Sequence, residues 1–475
     1  MTSFLTSIAT AGFKLGFGLT SLATVWLTAV TKDGALFAKD SEEQREELAT
    51  AQQKFWSLNG QPLPGFKHAF FTTSTGTNLH YVTNAEGPAS NPRNMAILIH
   101  GFPDSCLLWR HILQSSELQR NYTLIAVDLP GYGGSDGLPA YSANEILETI
   151  AEFILGMRKQ FLQEESKLVV MTHDWGAVVG ARLAAEASVL ADRWIITSAF
   201  IPHLTASNVA ARCSVAKQMF HTWIQSPTRL RLLRTAAGEL GPIRSQFSRS
   251  FYIFCFHLPW PFSNFFATFG NYWFLRLLHS LCKGKPRKNE KLLDRLNPKE
   301  AGDAMAMSTG PATSQFEDLK GKSTMRYGES VRRRVHDRGM AEKIRIYREG
   351  LFLGKWDKSL ETTAALFDLT QTALSSKSTL ASLMDGLPHG SLRAPTTLVL
   401  GERDPAFDQK LGLNNVKDYL NGSSQVILIK DAGHWLPLEP AGRRVLEKTL
   451  LWALAGNDSA TPFAEMSDVK VVVET

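Results

Sequence analysis

The sequence predicts an α/β protein, a mostly parallel, doubly wound sheet carrying a large, mainly helical lid inserted late in the sheet. Three observations predict it. Short apolar runs alternate with helical patterns as far as Phe200. The alternation then stops between Ile201 and Pro395, and it resumes at "TTLVLG" (396–401). Strands separated by helices make βαβ units, and a sheet completed only after a long helical stretch implies an inserted lid.

Taken in order, the first unit is 1–56. From Met1 to Thr31 the one charged side chain is Lys14, and "LGFGLTSLATVWLTAVT" (15–31) is an uncharged 17-residue run. A spanning helix takes about 20 apolar residues, and this run is diluted by Thr and Gly. It reads as a membrane anchor or interfacial helix, ahead of a helix packed on the body. A secretory signal fits less well, because no basic n-region precedes the run and no A-x-A site follows it. The expectation is therefore a membrane-associated protein with an otherwise cytoplasmic body. A charged helix, "SEEQREELATAQQKFW" (41–56), closes the unit.

Residues 57–200 form the first part of the core. Its strands are "HAFFTT" (68–73), "NLHYVT" (78–83), "MAILIH" (95–100), "YTLIAV" (122–127), "LVVMTH" (168–173) and "WIITSAF" (194–200), with a helix over 143–163. The lid, 201–395, holds the aromatic-dense "FYIFCFHLPWPFSNFFATFGNYWF" (251–274). The second part of the core, 396–475, adds "TTLVLG", "QVILIK" (425–430) and a helix near 441–455, and "SDVKVVVET" reads as a loose tail.

Hydrophobic residues make up 44% of the 475 and charged residues 20%, a globular balance. The net charge of +6 is nearly accounted for by "KGKPRKNEKLLDRLNPK" (283–299), which carries seven Lys or Arg and two acids. With no groove-reading motif beside it, that segment is a solvated face first and a contact for an anionic membrane second, and nucleic acid is not an expected partner. The four cysteines have neither disulfide nor zinc spacing and read as buried thiols. No cofactor motif or metal spacing is present, so neither a cofactor nor a metal is expected.

Ligands on such sheets bind outside the carboxyl ends of the strands. Those ends carry "HGFPDS" (100–105), "DLPGYGGSDG" (128–137), "HDWG" (173–176), "ERDPAF" (402–407) and "DAGHW" (431–435). The run, tight turn and small-residue helix of "KLVVMTHDWGAVVG" (167–180) is the layout of a nucleophile elbow, with Asp174 at the tip. Asp174, Asp404 and His434 follow the chain order nucleophile, acid, histidine of the α/β-hydrolase fold. A carboxylate is ionised at neutral pH and attacks carbon without a base. The alternative for Asp174 is a helix cap. Ser135 in "GGSDG" satisfies G-x-S-x-G but lies in a Gly-rich loop with neither the strand nor the helix the motif requires. His100 and His173 read as buried, satisfied histidines, and Asp431 is a weaker substitute for Asp404.

On "HGFPD", "DLPGYGGSD", "HDWG" and "GHW", in that order between residues 57 and 455, the chain resembles the epoxide hydrolase branch of the α/β-hydrolase superfamily. The resemblance implies hydrolysis of a lipophilic epoxide through an ester on Asp174. His434 would activate water, Asp404 would orient His434, and the N–H groups of Phe102 and Trp175 would form the oxyanion hole. It also implies two lid tyrosines as proton donors. Tyr252 in "YIFCFHLP" and Tyr347 in "IRIYREGL" match those segments, with Tyr272 in reserve, and a packing tyrosine is the alternative for each. Two departures stand out: Thr172 and Ala177 occupy places where the family usually has glycine. Two other readings are a haloalkane dehalogenase, against which Phe102 and the tyrosines count, and a non-catalytic lipid-binding protein of this fold. A xenobiotic, a fatty-acid epoxide and a secondary-metabolite epoxide are all compatible substrates.

Overall fold

The computed structural model describes all residues except 1, 86, 88–92, 164, 285–289, 318–324, 377–385, 457–460, 464–465 and 475. Nine strands form one sheet in the order β1-β2-β4-β3-β5-β6-β7-β8-β9. They are β1 (Lys67–Thr72), β2 (Asn78–Thr83), β3 (Met95–Ile99), β4 (Thr123–Val127), β5 (Leu168–His173), β6 (Arg193–Thr197), β7 (Thr396–Gly401), β8 (Gln425–Ile429) and β9 (Val469–Glu474). Strands β3 to β8 pair in parallel, while β1, β2 and β9 enter antiparallel. The fully buried patterns of β3, β4, β5 and β6 follow from helices on both faces, which turn period-two strands into continuous apolar runs.

Between β6 and β7 every described regular element is helical. Its first part is a helical hairpin, Pro202–Gln225 with Leu230–Arg249, followed by the short helix Phe251–Phe256 and the long helix Trp260–Leu281. The long helix is interrupted at Phe269–Tyr272, where Gly270, Asn271 and Tyr272 take positive φ.

The sequence reading needs correcting in two places. "SDVKVVVET" is not a loose tail: Val469–Glu474 pairs antiparallel with β8, and Lys430 N donates to Asp468 O at 2.9 Å. Its β-branched valines are the strand signal that the terminal position obscured. The thiols are not all buried either; Cys106 and Cys255 are, Cys213 is exposed and Cys282 is intermediate. The basic segment 283–299 falls partly outside the described residues, and of those described, Lys283 pairs with Glu300 at 2.5 Å.

The N-terminal run belongs to the helix Thr2–Asp33, long and apolar enough over Thr10–Asp33 to cross a membrane by length and composition. In this structure one face packs on the lid. The rings of Phe13 and Phe17 meet those of Phe247 and Phe254, and Trp273 Nε1 donates to Asp33 Oδ2 at 2.8 Å.

Candidate active site

Strand β5 ends at His173, and the helix Trp175–Glu186 starts two residues later, with Asp174 alone forming the turn at φ 53°, ψ −119°. A side chain at positive φ is strained by about 1–3 kcal/mol and persists where packing over-determines it. Here the packing is visible in two glycines. A Cβ on Gly176 would meet the His100 carbonyl oxygen at 2.2 Å, and one on Gly101 would meet Asp174 Oδ1 at 2.4 Å. The loop after β3 can therefore close on the elbow, and Phe102 N–H donates to Asp174 Oδ1 at 2.7 Å. Trp175 N–H, the first of the helix, makes no cap bond with the Asp174 side chain, so Phe102 alone of the two N–H groups holds that oxygen.

The other carboxylate oxygen faces the histidine. His434 Nε2 is 3.5 Å from Asp174 Oδ2, and its Nδ1 is 2.8 Å from Asp404 Oδ2. Burial lowers the proton affinity of this imidazole, but the Asp404 and Asp174 carboxylates outweigh it and push the pKa up to about 10. Asp404 sits on the loop after β7. That loop is held from the lid by Arg249, whose Nη1 donates to the carbonyl oxygens of Asp404 and Pro405 at 3.2 and 3.1 Å. Asp431 lies away from His434 and forms a surface ion pair with Arg403.

Above these groups lies a cavity of about 210 Å³. Phe102, Asp174 and His434 line it from the core, Tyr252 and Tyr347 from the lid. The two tyrosine rings pack edge to face at 5.8 Å, and Tyr347 also meets Trp175 at 4.8 Å and Phe102 at 5.2 Å. Burial raises the pKa of both phenols, and the nearby Asp174 adds to it, so both stay protonated at neutral pH. Tyr272 is outside the cavity lining, stacked under Arg338 at 4.5 Å.

Ser135 and His100 are satisfied elsewhere, whereas His173, read from the sequence as a satisfied histidine, is only half so: its Nε2 is buried without a hydrogen-bond partner among the described residues. Ser135 Oγ donates to Asp128 O at 2.7 Å and accepts from His80 N at 2.8 Å. His100 accepts from Leu129 N at 3.0 Å through Nε2, and burial lowers its pKa to about 4. His173 Nδ1 pairs with Thr197 Oγ1 at 2.9 Å. Thr172 fits the crowded elbow because Gly180 faces it; a Cβ there would stand 2.8 Å from Thr172 Cγ2.

Sequence reasoning missed Arg249 and the leucines Leu277, Leu278 and Leu281 of the cavity wall. It also missed Lys343, fully buried under the loop after β3, whose Nζ lies 3.3 Å from the Pro103 carbonyl oxygen and whose pKa burial lowers to about 7. No local signal marks them, because their roles depend on lid helices docking over the core.

An aspartate on a strand–turn–helix elbow, joined to an imidazole and a second carboxylate under a helical cover, is an arrangement of the α/β-hydrolase class. The chain belongs to the Alpha/beta hydrolase family, whose model matches residues 96–447. Among curated proteins it is similar to Epoxide hydrolase 3 of Mus musculus, 30% identical over 190 residues that cover 39% of this chain and 40% of that one. It is also similar to Epoxide hydrolase 2 of Caenorhabditis elegans, 31% identical over 144 residues, 30% of this chain and 36% of that one. The matches thus span well under two thirds of these relatives. Of solved structures, the Cif epoxide hydrolase from Acinetobacter nosocomialis superposes with a TM-score of 0.50 at 14% identity, covering 88% of this chain and 98% of that one, a likeness of fold.

Proposed function

We propose that the protein hydrolyses a lipophilic epoxide to a vicinal diol through an ester on Asp174. The observation that carries this reading is the division of labour on one carboxylate. Oδ1 is held by the Phe102 N–H, Oδ2 is left for attack, and two protonated tyrosines line the same cavity. Oδ2 forms a bond to an epoxide carbon as the ring C–O bond breaks, and the departing oxygen takes a proton from Tyr252 or Tyr347.

In the second step a water oxygen adds to Cγ of the ester and its proton passes to His434 Nε2. The tetrahedral oxyanion develops on Oδ1, where Phe102 and Trp175 offer their N–H groups. Collapse expels Oδ2 as the alkoxide of the diol, which takes the proton held on His434 Nε2; the second proton of the water returns to the tyrosinate, and the water oxygen remains in Asp174. Asp404 orients the imidazole throughout. The apolar cavity wall suits a lipophilic substrate. In this reading residues 201–395 are the lid, and the N-terminal helix associates the protein with a membrane, the body being otherwise cytoplasmic. The dehalogenase alternative is weaker, because a departing halide has no use for two tyrosine hydroxyls.

The test is intact mass spectrometry on His434→Gln incubated with lipophilic epoxides. An adduct of full epoxide mass that disappears when Asp174 is also changed to Ala supports the reading. A single turnover of the wild type in H₂¹⁸O should label Asp174 rather than the diol; label in the diol alone overturns the ester.

A further inference from the structure

Residues 201–250 carry seven Lys or Arg and a single acid, Glu239. Glu239 is paired with Arg212 at 3.0 Å. Lys217, Arg229, Arg231, Arg234 and Arg244 are exposed and make no ion pair among the described residues. They are interleaved with large apolar side chains that are also exposed: Phe220 at 47%, Ile224 at 54% and Leu230 at 58%.

The spacing gathers these residues into stripes. In the helix Pro202–Gln225, the exposed Lys217, Phe220 and Ile224 follow one another at i, i+3 and i+7. In the helix Leu230–Arg249, exposed positions recur at 230, 234, 237, 241 and 244, a single outward face carrying Leu230, Arg234 and Arg244. An amphipathic, basic pair of helices whose apolar residues point away from the core is poorly matched to water.

The N-terminal helix adjoins this hairpin. A Cβ on Gly18 would meet the Phe254 carbonyl oxygen at 2.8 Å, so its backbone lies against the short helix Phe251–Phe256 that follows the hairpin, and Phe13 packs on Phe247 at the hairpin's end. Its outer face is apolar, with Phe13 at 52%, Leu15 at 46% and Leu27 at 56% exposed. The hydroxyls of Thr20, Thr24, Thr28 and Thr31 each donate to a carbonyl four residues back, so the threonines need no water.

We propose that the basic hairpin 202–249 and the outer face of the N-terminal helix together form a docking surface for an anionic phospholipid bilayer, on which the protein lies in the interfacial plane. Cations with long aliphatic stems beside Phe, Ile and Leu suit the boundary between acyl chains and anionic headgroups. A helix bonded to the lid along one face is held for interfacial contact rather than for crossing. The end of the hairpin also supplies Ser248 and Arg249 to the cavity wall. This surface deepens the membrane association proposed above and rests on it, but it does not depend on the reaction.

Flotation of the full chain with phosphatidylcholine vesicles, with and without phosphatidylserine, tests the surface. The wild type should bind the anionic vesicles at least tenfold more tightly, and high salt should remove the difference. Arg231→Glu, Arg234→Glu and Arg244→Glu in one variant should abolish the anionic preference while leaving thermal unfolding unchanged. Phe220→Ser with Ile224→Ser should weaken binding to both vesicles. Lys291→Gln with Lys299→Gln, in the basic segment beyond the hairpin, should change nothing. Equal binding of wild type to both vesicles, no binding to either, or an anionic preference lost only in the Lys291 and Lys299 variant overturns the proposal.

Discussion

Nε2 of His434 stands 3.5 Å from Oδ2 of Asp174, so the imidazole lies between two carboxylates, the second being Asp404 at 2.8 Å. In the resting protein this favours imidazolium, with a pKa of about 10 despite burial. An imidazolium cannot take a proton from water. Converting Asp174 to a neutral ester removes one of the two charges and lowers the proton affinity, so the base would be released when the ester forms. Asp174→Asn mimics that neutral state. By histidine NMR, His434 should titrate at clearly lower pH in Asp174→Asn than in the wild type; coincident titrations would remove this coupling.

The tyrosines should act on the first step alone. Changing both Tyr252 and Tyr347 to Phe is expected to slow ester formation by about 10²–10⁴-fold, with each single change giving part of the loss. Rapid-quench mass spectrometry separates the steps, and hydrolysis of an ester already formed should be unaffected. If both variants slow hydrolysis equally, the tyrosines hold the cavity in shape rather than donate protons.

The core was legible in the sequence because its signals are local. Continuous apolar runs marked β3 to β8, and most of these strands end in candidate site residues within a few positions, as in "HDWG" and "GHW". The lid was legible as an interruption but not as a surface. Arg249 reaches the Asp404 loop across 155 positions, and Lys343 reaches Pro103 across 240, separations at which periodicity carries no information. Strand β9 was missed for a different reason: six residues near a chain end look unstructured until β8 offers an edge to pair with.

That edge supports a prediction. Ending the chain at Asp468 removes β9 and leaves the unpaired backbone of β8 facing solvent. The truncated protein should lose more than about 1 kcal/mol in urea unfolding and scatter more light at high concentration, since open edges template association. Unchanged stability and solubility would mean the strand contributes only decoration.

Thr172 and Gly180 form a compensating pair. Gly180→Ala places a methyl 2.8 Å from Thr172 Cγ2 on a strand that is fully buried. Overpacking of this kind costs about 1–3 kcal/mol. Adding Thr172→Ala should restore most of the loss, giving a coupling of at least about 0.5 kcal/mol in the double-mutant cycle. Additive effects would show that the elbow relaxes elsewhere.

His434 also makes stability depend on pH, with a definite sign. Its folded pKa, about 10, lies above the ordinary histidine value of 6.5, so the folded state holds the proton more tightly. The resulting stabilisation is fully present below pH 6.5 and is lost as pH rises through 10. Other groups titrate in the same window, and the comparison that isolates this one is the wild type against His434→Gln. Urea unfolding of both should show a stability difference that shrinks by more than about 1 kcal/mol between pH 6.5 and 10, since each tenfold change in proton affinity corresponds to about 1.4 kcal/mol. A difference that stays constant across that window would mean the imidazole is neutral in the resting protein. His434 would then need no release by ester formation before acting as a base.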